Sequence, residues 1–328
     1  MSKVMNLAKK LKQKIVLERI SEIKWQDYSS RPFIVELDPT AVCDLACPGC
    51  ISEDLIKVGN SFSNERILSL CEEMIEIGVK GVILIGGGEP LAHPMAGKII
   101  SSLGANDVHI GITTNGSFIN RWINEIAEFS SWTRVSMDAA NSEVFGVNRP
   151  TKGGKSKFEK IIKNMESLAA IKKGKMGFSF LIQTKADGNG VVSNIHQIYD
   201  AAKLAKDIGC DYFEVKPSYE FREGIDHALM KHSEKDTTFA MSEVARLDEL
   251  ESDNFKILKA INLEYSFDKA FGINQIQLKT YKECPSAYLR TTITPSGGYV
   301  CPYWRGKEWA KFGDFSVSSF KDIWFSKK

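Results

Sequence analysis

The sequence predicts an α/β protein built around a parallel sheet. Two observations carry that expectation. Short apolar runs of four to eight residues, most of them rich in Val, Ile or Phe, alternate with longer segments whose apolar residues recur at helical spacing. The alternation begins near residue 33, repeats six times and stops near residue 252. Six strand-then-helix units imply right-handed crossovers, with the sheet either curled into a partial (β/α)6 barrel or lying open and doubly wound. Periodicity alone does not choose between the two. A length of 328 residues suits one such domain with a small appendage.

The elements follow in order. Residues 2–24 carry Leu7, Leu11 and Ile15 at helical spacing among Lys3, Lys9, Lys10, Lys12 and Lys14, the pattern of an amphipathic helix docked on the domain. Strands are expected over Phe33–Leu37, Val82–Ile85, Val108–Thr113, Thr133–Met137, Gly177–Gln183 and Tyr212–Val215. Helices are expected over Asn64–Ile77, His93–Leu103, Asn120–Ser130, Lys155–Lys172, Asn194–Ile208 and roughly Ser233–Glu251. Residues 253–283 show no clean strand–helix unit. Leu289–Thr294 and Tyr299–Pro302, joined through Pro295-Ser296-Gly297-Gly298, read as a β-hairpin, and a last helix is expected from about Ser318. The expected organisation is an N-terminal helix over 1–30, an α/β unit over 31–252 and a small C-terminal hairpin-and-helix subdomain over 253–328. The chain stops soon after Trp324, an aromatic expected to pack on something, which reads as a truncated C-terminal subdomain.

Composition excludes several classes. Charged residues at 26% and hydrophobic ones at 43% are those of a globular chain. A net charge of +2 gives no reason to expect nucleic acid as a partner. The longest apolar stretches, such as Gly81–Ile85, are far too short to span a bilayer, and no apolar core follows the N-terminal lysines. Seven cysteines, an odd number with no export signal, argue against a disulfide framework and for a cytoplasmic protein.

Three of those cysteines fall within eight residues, in Asp38-Pro39-Thr40-Ala41-Val42-Cys43-Asp44-Leu45-Ala46-Cys47-Pro48-Gly49-Cys50. The segment follows the first expected strand, on the carboxyl edge of the sheet, where active sites of parallel α/β folds collect. Three thiolates at this spacing can wrap one metal centre. A structural zinc would want a fourth ligand, which His93 could supply only through the fold. A four-iron cluster on three cysteines instead leaves one iron open to a small chelating ligand with an amine and a carboxylate. Asp44, Pro48 and Gly49 make the loop polar and turn-rich, unlike a stretch of buried, unliganded cysteines.

This Cys-x3-Cys-x2-Cys run resembles the radical S-adenosylmethionine (SAM) superfamily. The resemblance implies a partial (β/α)6 barrel and a [4Fe–4S] cluster held by Cys43, Cys47 and Cys50, with SAM on the fourth iron. Reduction of that cluster yields a 5′-deoxyadenosyl radical that abstracts hydrogen from a substrate. The residue before the third cysteine is usually aromatic or His in that family and is Gly49 here. Further segments resemble the family at successive strand ends. Gly86-Gly87-Gly88-Glu89-Pro90 is similar to the family's Gly-Gly-Glu-Pro segment, so Gly87, Gly88 and Glu89 are implied to hold the methionine amino group. Thr113-Thr114-Asn115-Gly116 and Val135-Ser136-Met137-Asp138-Ala139 are similar to segments lining the SAM pocket, with Asn115 among the lining residues, Ser136 a ribose contact and Asp138 on the substrate side. Arg149 matches a position that pairs with the SAM carboxylate, a task suited to its planar fork. Lys216, at the end of the sixth strand, is a candidate contact to substrate or cofactor.

Cys284 and Cys301 flank the expected hairpin and, with Phe312-Gly313-Asp314-Phe315 and Phe320–Trp324, resemble the SPASM/twitch extension, which holds an auxiliary iron–sulfur cluster. That pattern needs cysteines after Cys301, and the sequence has none. Cys71 and Cys210 read as small core residues, with a hydrogen-atom donor or cluster ligand as the sharper role for Cys210. The resemblance implies an iron–sulfur enzyme of oxidoreductase or lyase type, reduced by a donor such as flavodoxin or ferredoxin. Fewer than about 35 residues precede the first strand, which favours a small metabolite (a sugar, aminocyclitol or nucleotide-linked intermediate) undergoing oxidation, epimerisation or dehydration. A peptide-modifying maturase is the alternative. A zinc-binding scaffold would lack affinity for SAM, and a pure electron-transfer protein would not need the Gly86–Glu89 loop.

Overall fold

The computed structural model describes residues 14–23, 31–187, 190–221, 227–229, 232–260, 263 and 284–326. Residues 2–13 of the expected N-terminal helix lie outside them, and Lys14–Glu22 is helical.

The strands run in chain order as β1 (Ile34–Leu37), β2 (Gly81–Leu84), β3 (His109–Thr114), β4 (Ser130–Ser136), β5 (Lys175–Ile182), β6 (Thr184–Asp187), β7 (Gly190–Ser193), β8 (Tyr212–Pro217), β9 (Tyr219–Phe221), β10 (His227–Leu229), β11 (Lys256–Lys259), β12 (Arg290–Thr294), β13 (Gly297–Tyr299) and β14 (Lys311–Gly313). Ten of them form one sheet in the order β11-β8-β5-β4-β3-β2-β1-β12-β13-β14. From β1 to β8 each strand of this sheet lies beside its predecessor, always on the same side, and the pairs are parallel. A doubly wound sheet would reverse direction at a switch point. The unreversed order is that of an unclosed barrel, with β11 and β14 as its edges.

Period-2 alternation decides what each face of this sheet carries. Val35, Leu37, Val82, Leu84, Ile110, Ile112, Val135, Phe178, Phe180, Phe213 and Val215 are fully buried in the core beneath the helices. The intervening positions, Glu36, Thr113, Arg134, Ser136, Ser179, Glu214 and Lys216, take the opposite face. That face is polar. Glu214 accepts from Arg134 at 3.0 Å and pairs with Lys216 at 2.7 Å, and Arg134 also donates to Thr113 at 3.2 Å.

The helices form where expected, with shifted ends. Asn64–Glu76 buries Ile67, Leu70, Cys71 and Met74 at i, i+3, i+4 and i+7, and the Ser63 hydroxyl caps it by accepting from the Arg66 amide. Glu234–Arg246 is capped in the same way by Ser233, and the last helix, Phe320–Trp324, by Ser319. Asn120–Ser130 shortens to a helix over Ile123–Phe129, because a 3-10 turn over Ile119–Arg121 precedes it and β4 starts at Ser130.

The C-terminal residues join the same sheet from both sides. β11 pairs in parallel with β8, and β12 pairs in parallel with β1. β12 and β13 form the expected hairpin. Arg66 ties the end of the chain to the helix on which it sits, donating to Glu73 at 2.6 Å and to the Phe315 and Ser318 carbonyls at 2.7 and 2.9 Å. Phe312, Phe315, Phe320 and Trp324 pack edge to face or tilted against one another, so Trp324 finds its partners within the chain. No helix among the described residues is long and apolar enough to cross a membrane.

One charged cluster at the amino edge gives a pH test of the fold. Asp211 accepts from Lys172 at 2.6 Å, Lys175 at 2.9 Å and the Met176 amide at 2.8 Å. Burial pushes its carboxyl up, but Lys172, the Met176 amide and Lys175 outweigh burial and hold it below the usual carboxylate range. A depressed folded pKa gives stability that is present above the unfolded value, near 3.9, and lost as pH falls through the folded value. Wild type is therefore expected to exceed Asp211→Asn in urea midpoint at pH 7. The gap closes as pH drops below about 4.

Candidate active site

The cysteine loop leaves the carboxyl end of β1 and is pinned on both flanks. On one, the Ala41 amide donates to Asn60 O at 2.8 Å, and Thr40 and Ser61 share a hydroxyl contact of 2.5 Å. On the other, the Ala46 amide donates to Pro150 O at 2.7 Å, and Leu45 bridges Thr151. Cys43, Cys47 and Cys50 are not in disulfides, and each is half-buried. Gly49 has φ +69°, which disfavours a side chain, so the aromatic or His of the family pattern would be strained on this backbone.

The Gly86–Glu89 loop leaves β2 and lies directly on the entry to the cysteine loop. The Glu89 amide donates to Val42 O at 2.9 Å. A Cβ on Gly88 would fall 2.4 Å from the Ala41 carbonyl carbon and 2.5 Å from Val42 O, so only glycine permits this approach. The Gly87 amide donates to Asp38 at 2.7 Å.

Glu89 is buried and accepts three hydrogen bonds. It accepts from the Thr114 hydroxyl at 2.6 Å, the Asn115 amide at 2.7 Å and the Leu91 amide at 3.1 Å. Burial pushes its carboxyl up to about 7 against those three bonds. Asn115 in turn donates to Asp44 at 2.8 Å and lies 3.9 Å from the Cys43 sulfur. Asp44 also accepts from Ser117 at 2.6 Å and Lys157 at 2.5 Å. Burial raises the Asp44 carboxyl, but Lys157, Ser117 and Asn115 hold it below the usual range. The ends of β2 and β3 are thus wired to the cysteine loop through Glu89, Asn115 and Asp44.

Asp138 and Arg149 stand on the other side of the mouth. Their side chains pair with each other, through Arg149 Nε at 2.8 Å and Nη2 at 2.5 Å on Asp138 Oδ2. Asp138 has φ +55° and is locked there: its Oδ1 accepts from the Leu181 amide at 2.7 Å, and its carbonyl accepts from Asn148 and Asn194. Burial opposes the Arg149 charge, while Asp138 with the nearby Cys47 and Cys50 more than restores it. Ser136 sits half-buried at the carboxyl end of β4. Burial and the Arg134 charge push the Lys216 ammonium down, against the pull of Glu214.

The remaining candidates separate from this mouth. Cys210 precedes β8 at the amino edge of the sheet and is buried. A six-residue strand spans about 20 Å, which takes Cys210 out of reach of the cysteine loop and leaves it a core residue whose thiol burial pushes up. Cys71 is likewise core. His93 does not complete a zinc site: its Nε2 bonds the Phe62 carbonyl at 3.0 Å and its Nδ1 accepts from the Met95 amide at 3.1 Å. Cys284 is exposed and Cys301 half-buried.

The donor set is three thiol sulfurs on one loop, Cys43, Cys47 and Cys50, the ligand type that holds iron–sulfur clusters. Among the described residues no three His, Cys, Asp or Glu side chains converge on a point that one metal ion could occupy. A four-iron cube takes each thiolate on a separate iron. Burial pushes the Cys43 thiol up to about 12, a position at which a bound metal must draw off the proton. The cationic Arg149 beside Cys47 and Cys50 suits an anionic group there.

The sequence model of the Radical SAM superfamily matches residues 37–185, the span from the end of β1 to β6 that carries every contact described at this mouth except those of Asn194, Glu214 and Lys216. Residues 37–185 are a radical SAM domain. That superfamily of enzymes uses a [4Fe–4S] cluster and SAM, the cofactors implied by the cysteine triplet. The chain is 26% identical over 190 residues to the AdoMet-dependent heme synthase of Methanosarcina barkeri, covering 57% of this chain and 51% of that protein. It is 27% identical over 180 residues to the mycofactocin maturase MftC of Mycobacterium ulcerans, covering 54% of this chain and 45% of the relative. The chain thus spans about half the length of the curated relatives it matches. The crystal structure of Streptococcus suis SuiB bound to its precursor peptide SuiA superposes with a TM-score of 0.66 at 17% identity, over 98% of this chain and 70% of that one. At that identity the likeness is one of fold, and it extends through the C-terminal strands.

Sequence reasoning missed Asp38, Asp44, Lys157, Arg134 and Glu214. A signal for the last two was present: single charges at alternate positions of otherwise apolar strands, as in Trp132-Thr133-Arg134-Val135 and Phe213-Glu214-Val215.

Proposed function

We propose that this chain binds a [4Fe–4S] cluster on Cys43, Cys47 and Cys50, binds SAM across the Gly86–Glu89 loop, and functionalises an unactivated C–H bond. The observation that carries the reading is the seating of the Gly86–Glu89 loop on Ala41 and Val42, one residue before Cys43. When bound, the cluster and SAM supply an electron and a 5′-deoxyadenosyl radical that takes a hydrogen atom from the substrate. The protein's own residues orient and shield. Glu89 fixes the Asn115 amide, Asn115 and Lys157 fix Asp44 in the cysteine loop, and Arg149 offers positive charge beside Cys47 and Cys50. Ser136 and Arg149 are proposed contacts to SAM, and Asp138, through its pair with Arg149, sets the direction of that guanidinium. An external one-electron donor of the flavodoxin or ferredoxin class reduces the cluster. An auxiliary cluster on Cys284 and Cys301 would need ligands beyond these two thiols.

For the substrate, a peptide is the first reading. Similarity to a mycofactocin maturase and to the fold of a peptide-bound enzyme supports it. So do exposed large apolar side chains: Val42, Ile51 and Val58 in and just after the cysteine loop, and Val300, Tyr303 and Trp309 in the C-terminal segment. A small anionic metabolite is the second reading, favoured by the charged wall of Arg134, Glu214 and Lys216 and by similarity to a heme synthase. The discriminating experiment incubates the reduced, reconstituted protein and SAM with a pool of peptides or with small anionic metabolites. Release of 5′-deoxyadenosine stimulated by peptides, with a matching mass change in one of them, supports the first reading. Stimulation by metabolites alone supports the second, and no 5′-deoxyadenosine under any condition contradicts both.

A further inference from the structure

We propose that Arg305, on the C-terminal segment, is a positioning residue for the Gly86–Gly87 peptide and through it for SAM; this rests on the reading of that loop as the SAM cradle. Arg305 follows a short turn over Pro302–Trp304, and its side chain is 7% exposed. Its Nη1 donates to the Gly86 carbonyl at 3.2 Å. Its Nε lies 3.3 Å from Asp38 Oδ2, the atom that accepts the Gly87 amide at 2.7 Å. The Gly86 carbonyl and the Gly87 amide belong to one peptide plane. One guanidinium therefore fixes both ends of that plane, the oxygen directly and the N–H through Asp38.

This peptide is the one in the loop that most needs fixing. Neither flanking residue has a Cβ, so rotation of the plane meets little steric resistance. A rotated plane would redirect the backbone of the glycines that follow, which carry the proposed contacts to the aminoacyl ligand.

Charge points the same way. Glu36 and Asp38 are both buried on this side of the sheet. Arg305 Nη2 stands 3.7 Å from Glu36, and Arg290, itself 42% exposed, pairs with Glu36 as well. Among the described residues Arg305 is the cation paired with Asp38. Burial pushes the Asp38 carboxyl up to about 6, with Arg305 opposing that rise. Arg305 Nε and Nη2 are buried without a hydrogen-bond acceptor and are held by ion-pair contact only. Such unsatisfied donors cost stability, and their retention at a cofactor loop fits a positioning role. The segment also reaches the helix that follows the cysteine loop, Glu53–Val58, since Leu55 packs where a side chain on Gly306 would stand.

The test uses the anaerobically reconstituted protein as wild type, Arg305→Met, Arg305→Lys, Asp38→Asn and Asp38→Asn/Arg305→Met, with SAM affinity measured by equilibrium dialysis and iron counted in each. Arg305→Met is expected to keep wild-type iron and to weaken SAM binding about tenfold or more, the scale of a lost charge-assisted bond. Arg305→Lys is expected to recover part of the loss. The double variant, which removes both buried charges, is expected to lose less than the sum of its single changes. It also decides the matter if Arg305→Met fails to fold. Hydrogen exchange at the Gly87 amide is expected to quicken in Arg305→Met without SAM present. Wild-type affinity in a folded Arg305→Met overturns the proposal. So does a loss of affinity that only follows lost iron and is not rescued by lysine. Wild-type protein that binds no SAM at all overturns the proposed function itself.

Discussion

Gly88→Ala is expected to lower SAM-dependent turnover at least about a hundredfold, the penalty for displacing positioned groups by about an ångström. The new Cβ would stand 2.4 Å from the Ala41 carbonyl carbon, 2.5 Å from Val42 O and 2.6 Å from Ala41 O. These are backbone atoms on a segment pinned at Asn60 and Ser61, so relief comes by moving the Gly86–Glu89 loop away from the cysteines. The accompanying strain is about 1–3 kcal/mol, small enough for the fold to survive. Gly146→Ala, inside the helix Ser142–Asn148 with ordinary contact to Ser156, is the control and is expected to leave turnover unchanged. The comparison is made by following 5′-deoxyadenosine release in reconstituted proteins of equal iron content. Equal turnover in Gly88→Ala and wild type would show that the loop's approach to the cysteines is dispensable.

Glu89→Gln is the second large effect. Glu89 offers only acceptors to three donors: the Thr114 hydroxyl and the Leu91 amide share Oε1, and the Asn115 amide takes Oε2. A glutamine can keep its oxygen on one side only, so its NH2 group must face a donor on the other. Each buried donor left without an acceptor costs about 1–3 kcal/mol. The cheaper orientation sacrifices the Asn115 amide and frees the residue that touches both Asp44 and Cys43. The expected result is a lowered thermal midpoint together with SAM affinity weakened about tenfold or more. A glutamine variant with wild-type SAM affinity would limit Glu89 to a role in the fold.

Much of this architecture was legible in the chain. The six inner strands and their helices appear where the apolar periods place them, because burial on one face writes itself into sequence at period 2 or 3.6. The cysteine loop, the Gly86–Glu89 loop, Asn115, Ser136, Asp138 and Arg149 all come to one edge, since successive parallel strands end on the same side. What the sequence did not disclose depends on tertiary pairing. β11 has only Ile257 and Leu258 between two lysines, and its strand state comes from hydrogen bonds to β8. β12 looked like half of a local hairpin, yet its other edge adds to β1 across more than 250 residues of chain. The pairing of Asp138 with Arg149 was equally hidden, because each residue has a separate reason to sit at the mouth. Cys210 was misleading in the other sense, since its chemistry drew attention and only its place before β8 shows that it belongs to the core.

We propose that the cysteine loop and the glycine loop together hold a cluster that SAM touches. The direct measurement is the electron paramagnetic resonance spectrum of the dithionite-reduced, reconstituted protein with and without SAM, recorded alongside iron and sulfide counts. About four irons and four sulfides per chain are expected, with a reduced-cluster signal that shifts on adding SAM, both absent in the Cys43→Ala/Cys47→Ala/Cys50→Ala variant. A protein that takes up zinc in place of iron, or a cluster whose signal SAM leaves unmoved, would contradict this proposal.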